Sequence, residues 1–173
     1  LAPNQRCTVS VAFQPSDVNK REMVLGVKPK YYASLNFTLI GIGLDSKIEI
    51  SPTLHQFKVD MAIPNNCEIF TFQVKSIGNI PATITGVSLE KGNQGFSILE
   101  DQCNGKVLPV GALCNITVKF VPPSVDNKFT DKLIVTSNSV RTPSVHASLE
   151  GIGYLYPDVL FEYQSPHNVI RGR

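Results

Sequence analysis

The stretch Cys114-Asn115-Ile116-Thr117-Val118-Lys119-Phe120 alternates apolar and polar residues along its whole length. Cys114, Ile116, Val118 and Phe120 fall on one side, and Asn115, Thr117 and Lys119 on the other. Successive side chains of a β-strand point to opposite faces, so this period of two describes a strand with one face in a core. The same alternation occurs in Glu68-Ile69-Phe70-Thr71-Phe72-Gln73-Val74-Lys75 and in Val145-His146-Ala147-Ser148-Leu149-Glu150. Turn-forming clusters separate these runs: Ile77-Gly78-Asn79-Ile80-Pro81, Lys91-Gly92-Asn93-Gln94-Gly95 and Pro122-Pro123-Ser124-Val125-Asp126-Asn127. Helical periodicity is nearly absent. Short strands with turns at this spacing predict an all-β, immunoglobulin-like β-sandwich of antiparallel strands. Its predicted core is Phe70, Phe72, Val74, Ile84, Phe96, Ile98, Ile116, Val118, Phe120, Leu133, Val135, Ala147 and Leu149.

Working outward, the chain repeats itself. Leu1-Ala2-Pro3-Asn4-Gln5-Arg6-Cys7-Thr8-Val9-Ser10-Val11-Ala12-Phe13-Gln14-Pro15 aligns without gaps to residues 108–122. Leu, Cys, Val, Phe and Pro coincide. Further on, Leu39-Ile40-Gly41-Ile42-Gly43 matches Leu149-Glu150-Gly151-Ile152-Gly153. The period is that of an immunoglobulin-like domain, roughly 100 residues. The expected organisation is therefore the C-terminal half of one repeat at 1–45, a complete sandwich at 46–154, and a tail or linker at 155–173.

Ser76-Ile77-Gly78-Asn79-Ile80-Pro81-Ala82-Thr83-Ile84, then Gly95-Phe96-Ser97-Ile98, resembles the front half of Hydin-like (major-sperm-protein-like) immunoglobulin-fold repeats. These include the bacterial choice-of-anchor D type. Cys103, Leu108, Gly111, the alternating run from Cys114 to Pro122, and Leu149-x-Gly151-x-Gly153 resemble the back half. The antibody variant does not fit, because there is no Trp and its inter-sheet cysteines lie much farther apart. The resemblance implies structural and protein-binding modules with no catalytic residues to carry over. The paired cysteines resemble the bacterial secreted members more than the ciliary and centrosomal ones.

The 173 residues carry 16 Lys+Arg against 14 Asp+Glu, a net charge of +2, with 42% hydrophobic and 17% charged residues. This is a globular composition without the clustered excess of base that nucleic-acid and membrane-surface binders show. The longest apolar run, residues 37–44, is strand-sized and contains two glycines, so direct membrane insertion is not expected. The chain opens on Leu1 without a leader, so it is expected to be processed or part of something longer. Cys103 and Cys114 flank a Gly- and Pro-bearing stretch that lets the chain fold back, and a disulfide between them is expected. That would suit a periplasmic, cell-envelope-associated or extracellular location. The alternative is two buried thiols in a cytosolic protein. Cys7 and Cys67 are expected not to bond each other.

No enzyme is expected. His55, His146 and His167 lie too scattered for a zinc set, and no nucleophile elbow occurs. Gly41-Ile42-Gly43 and Gly151-Ile152-Gly153 lack the third glycine of a dinucleotide loop and recur with the repeat, so they read as strand-end features. No cofactor and no metal are expected. Asn36-Phe37-Thr38 and Asn115-Ile116-Thr117 have the form of glycosylation sequons, with both Asn side chains placed on the outer face. Lys20-Arg21 and Lys28-Pro29-Lys30, ahead of Tyr31-Tyr32, read as a solvated loop or protein contact and not as a nucleic-acid site.

Residues 1–44 should hold strands near 7–13, 22–27 and 35–40. Their inward residues Val9, Val11, Phe13, Leu35, Phe37 and Leu39 need an opposite sheet. With Tyr31 and Tyr32 they form the candidate interaction surface. The expected covers, in order, are preceding sequence, a neighbour's added strand, or the tail segment 158–163. The function expected is a non-catalytic module of a bacterial cell-envelope assembly, such as a secretion apparatus or surface appendage, whose partners are other protein subunits. The alternatives are a ligand- or carbohydrate-binding domain of a larger secreted enzyme or adhesin, and a ciliary or centrosomal repeat.

Overall fold

The computed structural model describes residues 5–155. The tail segment 158–163 lies outside the described residues. Two strands, β1 (Lys20–Val27) and β2 (Leu35–Ile42), form an antiparallel hairpin of their own. The remaining strands build the predicted sandwich. One sheet orders β3 (Ile48–Ser51), β5 (Glu68–Ser76), β9 (Leu113–Phe120) and β7 (Phe96–Asp101) as β3-β5-β9-β7. The other contains β4 (Leu54–Asp60), β6 (Ala82–Leu89), β8 (Val107–Leu108), β10 (Lys128–Ser137) and β11 (Ser144–Tyr154), ordered β4-β11-β10-β6-β8. The pairing departs from the all-antiparallel expectation at one ladder: β4 runs parallel to β11. The chain changes sheets between β3 and β4, and that crossing sets the direction of β4.

Apolar alternation decides which faces meet. Phe72 and Val74 of β5 stand opposite Ile116 and Cys114 of β9. They face Leu133, Val135, Ala147 and Leu149 of the other sheet, and all of these side chains are buried. Of the predicted core residues, Phe70 and Ile98 are only partly buried and pack against its edge. Ile48, Ile50, Phe57, Val59, Ala82 and Leu108 join the core without having been predicted. Phe57 crosses from the five-stranded sheet to the Phe96–Phe120 stack of the other, with centroids 5.5 and 5.8 Å away.

A buried carboxylate and a glycine hold the turns over this core. Asp131 of β10 is buried, and its carboxylate accepts the N–H groups of Lys91 and Gly92, each at 2.9 Å. It also accepts that of Lys132, at 2.7 Å. Asp131→Ala leaves the Lys91–Gly92 turn without its acceptor. A loss of about 2 kcal/mol in unfolding free energy is expected by denaturant titration, since hydrogen bonds to a charged group contribute more than neutral ones. At the far end, Gly95 has φ +82° and sits against the Val121 carbonyl, a place with no room for a Cβ.

Candidate interaction surfaces

Cys103 and Cys114 are bonded, with Cα atoms 5.3 Å apart. The loop they close passes from the end of β7 to β8 in the opposite sheet and returns to β9. Asp101 accepts the N–H of Cys103 at 2.8 Å and of Asn104 at 3.0 Å, which starts the turn. Leu108 then stands opposite Ala82 on β6. Gly111 donates to the Ser76 carbonyl, and Ser76 donates back to Ala112, each at 2.9 Å. The disulfide thus anchors a bridge across one edge of the sandwich. Cys7 is exposed and Cys67 half-buried, both as free thiols.

Residues 5–44 present a different kind of surface. The segment 7–13 pairs with no strand, contrary to the expectation for it. Its counterpart β9 is hydrogen-bonded on both sides, by β5 and β7, and nothing equivalent flanks 7–13 among the described residues. Val9, Val11, Phe13, Leu35 and Phe37 are about half exposed, and Leu39 is partly covered. Phe13 lies across the hairpin on Gly41, where its ring leaves no room for a Cβ. Val11, Phe13, Met23 and Leu39 line a shallow concavity there. The opposite face of the hairpin is mixed: Val24, Ile40 and Ile42 are each more than half exposed and stand opposite Thr38, Glu22 and Lys20. Tyr31 and Tyr32 project from the β1–β2 turn, 79% and 82% exposed, with the Lys30 ammonium 5.2 Å from the Tyr31 ring centre.

Two of the basic residues near this hairpin are paired with carboxylates. Arg21 pairs with Asp17, and Lys20 with Glu22 at 2.5 Å. Asp17 is held below the usual carboxylate range, first by the Asn19 backbone N–H and then by the Asn19 and Arg21 side chains. The hairpin is tied to the sandwich through the connecting segment. Asn79 donates to the Gly43 carbonyl at 2.7 Å and accepts the Asp45 N–H at 2.9 Å, and Arg141 donates to the Pro15 carbonyl at 3.0 Å.

On the sandwich itself, His55 of β4 and Glu68 of β5 are 2.8 Å apart, and the imidazole stacks on Phe70 with centroids 3.6 Å apart. The second oxygen of Glu68 accepts the Lys58 N–H. This side-chain clasp joins the two sheets. It was invisible in the sequence because its members sit thirteen residues apart on different sheets. Glu150 is lowered from the usual carboxylate value by its hydrogen bond to Lys128 and then by that to Gln56. Asn36 is exposed, and Asn115 lies on the outward face of β9 with Thr117 and Lys119, half-buried and with its Oδ1 enclosed. Among the described residues, no three His, Cys, Asp or Glu side chains converge as a metal set. Nor is any helix long and apolar enough to cross a membrane.

Two packed sheets with this strand order define an immunoglobulin-like β-sandwich. Residues 47–152 match the model of the HYDIN/CFA65/VesB-like Ig-like domain, and the chain belongs to that family. A Blochmanniella floridana protein named NAD kinase is 32% identical over 117 residues, covering 67% of this chain and 38% of that protein. The chain thus spans well under half the length of that curated relative. Among solved structures, the Vibrio cholerae VesB protease is similar at 16% identity and a TM-score of 0.47, over 61% of this chain and 31% of that one. The PapD-like domain 7 of human CEP192 is similar at 14% identity and a TM-score of 0.45, over 88% of this chain and 100% of that one.

Proposed function

We propose that this chain is a non-catalytic structural and protein-interaction module of a bacterial cell-envelope assembly, acting outside the cytoplasm. The observation that carries the reading is the outer face of the β1–β2 hairpin. Val24 and Ile40 are 61% and 59% exposed there. In the complete sandwich the corresponding ladder positions of β10 and β11 hold Lys132 and Glu150. At these two positions the same fold element presents charge to water in one copy and hydrocarbon in the other, beside the Lys20–Glu22 pair on the same face of the hairpin. Hydrocarbon on an exposed face favours a protein neighbour. The Cys103–Cys114 disulfide supports an oxidising compartment, and the immunoglobulin-like family supports a binding module over a catalyst.

The test is recovery of the tagged full-length protein from native membranes without reductant. Companion proteins should co-purify, and Ile40→Asp should cut their recovery at least tenfold while leaving the unfolding midpoint of the sandwich unchanged. A wild-type protein that elutes alone as a monomer, or one whose Cys103 and Cys114 are reduced in the cell, overturns the proposal.

A further inference from the structure

The two copies of the repeat agree in three dimensions as well as in sequence. Phe13 lies on Gly41 as Phe120 lies on Gly151, in each case where a Cβ would stand. Pro15 abuts Gly43 as Pro122 abuts Gly153, 3.0 and 2.7 Å from the ideal Cβ position. The ladders keep one register: Lys20 opposite Ile42 repeats Lys128 opposite Ile152, and Leu25 opposite Phe37 repeats Leu133 opposite Ala147. Val27 opposite Leu35 likewise repeats Val135 opposite Val145. What differs is the cover. Leu133, Val135, Ala147 and Leu149 have no exposed surface, whereas Val27 is 38% and Phe37 52% exposed. In the complete copy β5 and β7 flank β9, and Phe57 and Phe96 cover Phe120. Cys114 on β9 is bonded to Cys103, and its counterpart Cys7 is an exposed thiol.

We infer that residues 7–42 are the back half of a second immunoglobulin-like sandwich, that their inner face receives the front half of such a repeat, and that Cys7 bonds a cysteine on it. The occupant is defined by the internal copy. It supplies one strand patterned like β5 and one like β7 on either side of 7–13, large apolar side chains over Phe13, and a cysteine at the place of Cys103. Bond formation removes two protons and two electrons from the two thiols, and a disulfide oxidant such as oxidised glutathione takes them, leaving as two thiols. The copy is imperfect at one point: Met23 stands where the register places Asp131, so the carboxylate that holds the Lys91–Gly92 turn has no counterpart. The inference rests on reading residues 5–44 as an interaction surface, but not on the compartment or on the outer face.

The test places a second copy of residues 46–107 directly ahead of Leu1 in the full 173-residue chain. The junction reproduces the spacing between Cys103 and Cys114, because Leu1 takes the place of Leu108. After refolding with oxidised glutathione, peptide mapping should find Cys7 bonded to the added Cys103. Amide exchange in β1 and β2 should slow at least 100-fold relative to the unextended chain. In the extended chain, Cys7→Ser should keep most of that protection, and Val11→Asp should abolish it. An alkylatable Cys7 together with unchanged exchange would overturn the inference. So would self-association of the unextended chain that protects β2, because the occupant would then be a second copy. Failure of the envelope reading shows separately, as a native protein without companions.

Discussion

Phe120→Ala should lower the unfolding free energy by about 3–5 kcal/mol, read as a shift in the urea midpoint with little change in slope. Phe120 is fully buried, and its ring meets Phe96 at 4.5 Å, Phe57 at 5.8 Å and Phe129 at 6.2 Å. It also fills the space over Gly151. Removing the ring strips contacts from both sheets at once, and the close-packed surroundings cannot collapse into the void. A domain of ordinary stability keeps only about 5–15 kcal/mol, so this one change takes a large share. The repeat provides an internal control. Phe13→Ala removes the same residue from the same place above a glycine, but there the ring is already 48% exposed. The sandwich should lose less than about 1 kcal/mol from that change. Thr117→Ala, on the outward side of β9, gives up a 3.1 Å contact between hydroxyls and should cost about as little. Equal losses at Phe120 and Thr117 would contradict the assigned faces of β9.

The contrast also explains how much of this molecule was legible beforehand. The faces of β5, β9 and β11 were readable because each strand is long enough to show several alternations, and a buried face leaves no freedom in which residues are apolar. β3 and β4 escaped notice because each offers only two core residues, Ile48 with Ile50 and Phe57 with Val59, split by a change of sheet. Two apolar residues two apart occur too often to mark a strand. The parallel β4–β11 ladder had no local signal, since strand direction is set by the path of the chain and not by composition. The hairpin of residues 20–42 was expected from the repeat, but the strand at 7–13 was not realised. Its side chains have the right alternation, yet a strand needs a hydrogen-bonded neighbour, and alternation says nothing about who supplies one. The apolar residues of the candidate surface were named from sequence for their inner face. The outer-face residues Val24 and Ile40 were passed over, although the repeat alignment already set Ile40 against Glu150. The register adds Lys132 as the counterpart of Val24, whereas Ile42 matches another isoleucine, Ile152.

Cys103→Ala combined with Cys114→Ala should cost about 3 kcal/mol, the chain-entropy value for a loop of this size. The separation of 11 residues is short, and the loop has other ties: the Asp101 cap, the Ala82–Leu108 pair and the Ser76–Gly111–Ala112 hydrogen bonds. Those ties decide what form the loss takes. With them in place, the native loop should persist and the unfolded chain should gain the freedom the bond had denied it, so the midpoint falls while the folded signature stays. Near-ultraviolet dichroism and amide exchange at Leu108 should then match the wild type at low temperature. Were the bond instead holding the loop against strain, the double variant would expose Leu108 and release β8 from β6 before global unfolding. The variant must remove both thiols. Cys103 and Cys114 are 0% and 4% exposed, and a single substitution would leave one reactive sulfur in the core. The double variant also has only Cys7 and Cys67 left, so its thiol count equals that of the unreduced wild type. A double variant as stable as the wild type would show that the hydrogen bonds alone close the loop, and would withdraw the disulfide as support for an oxidising compartment.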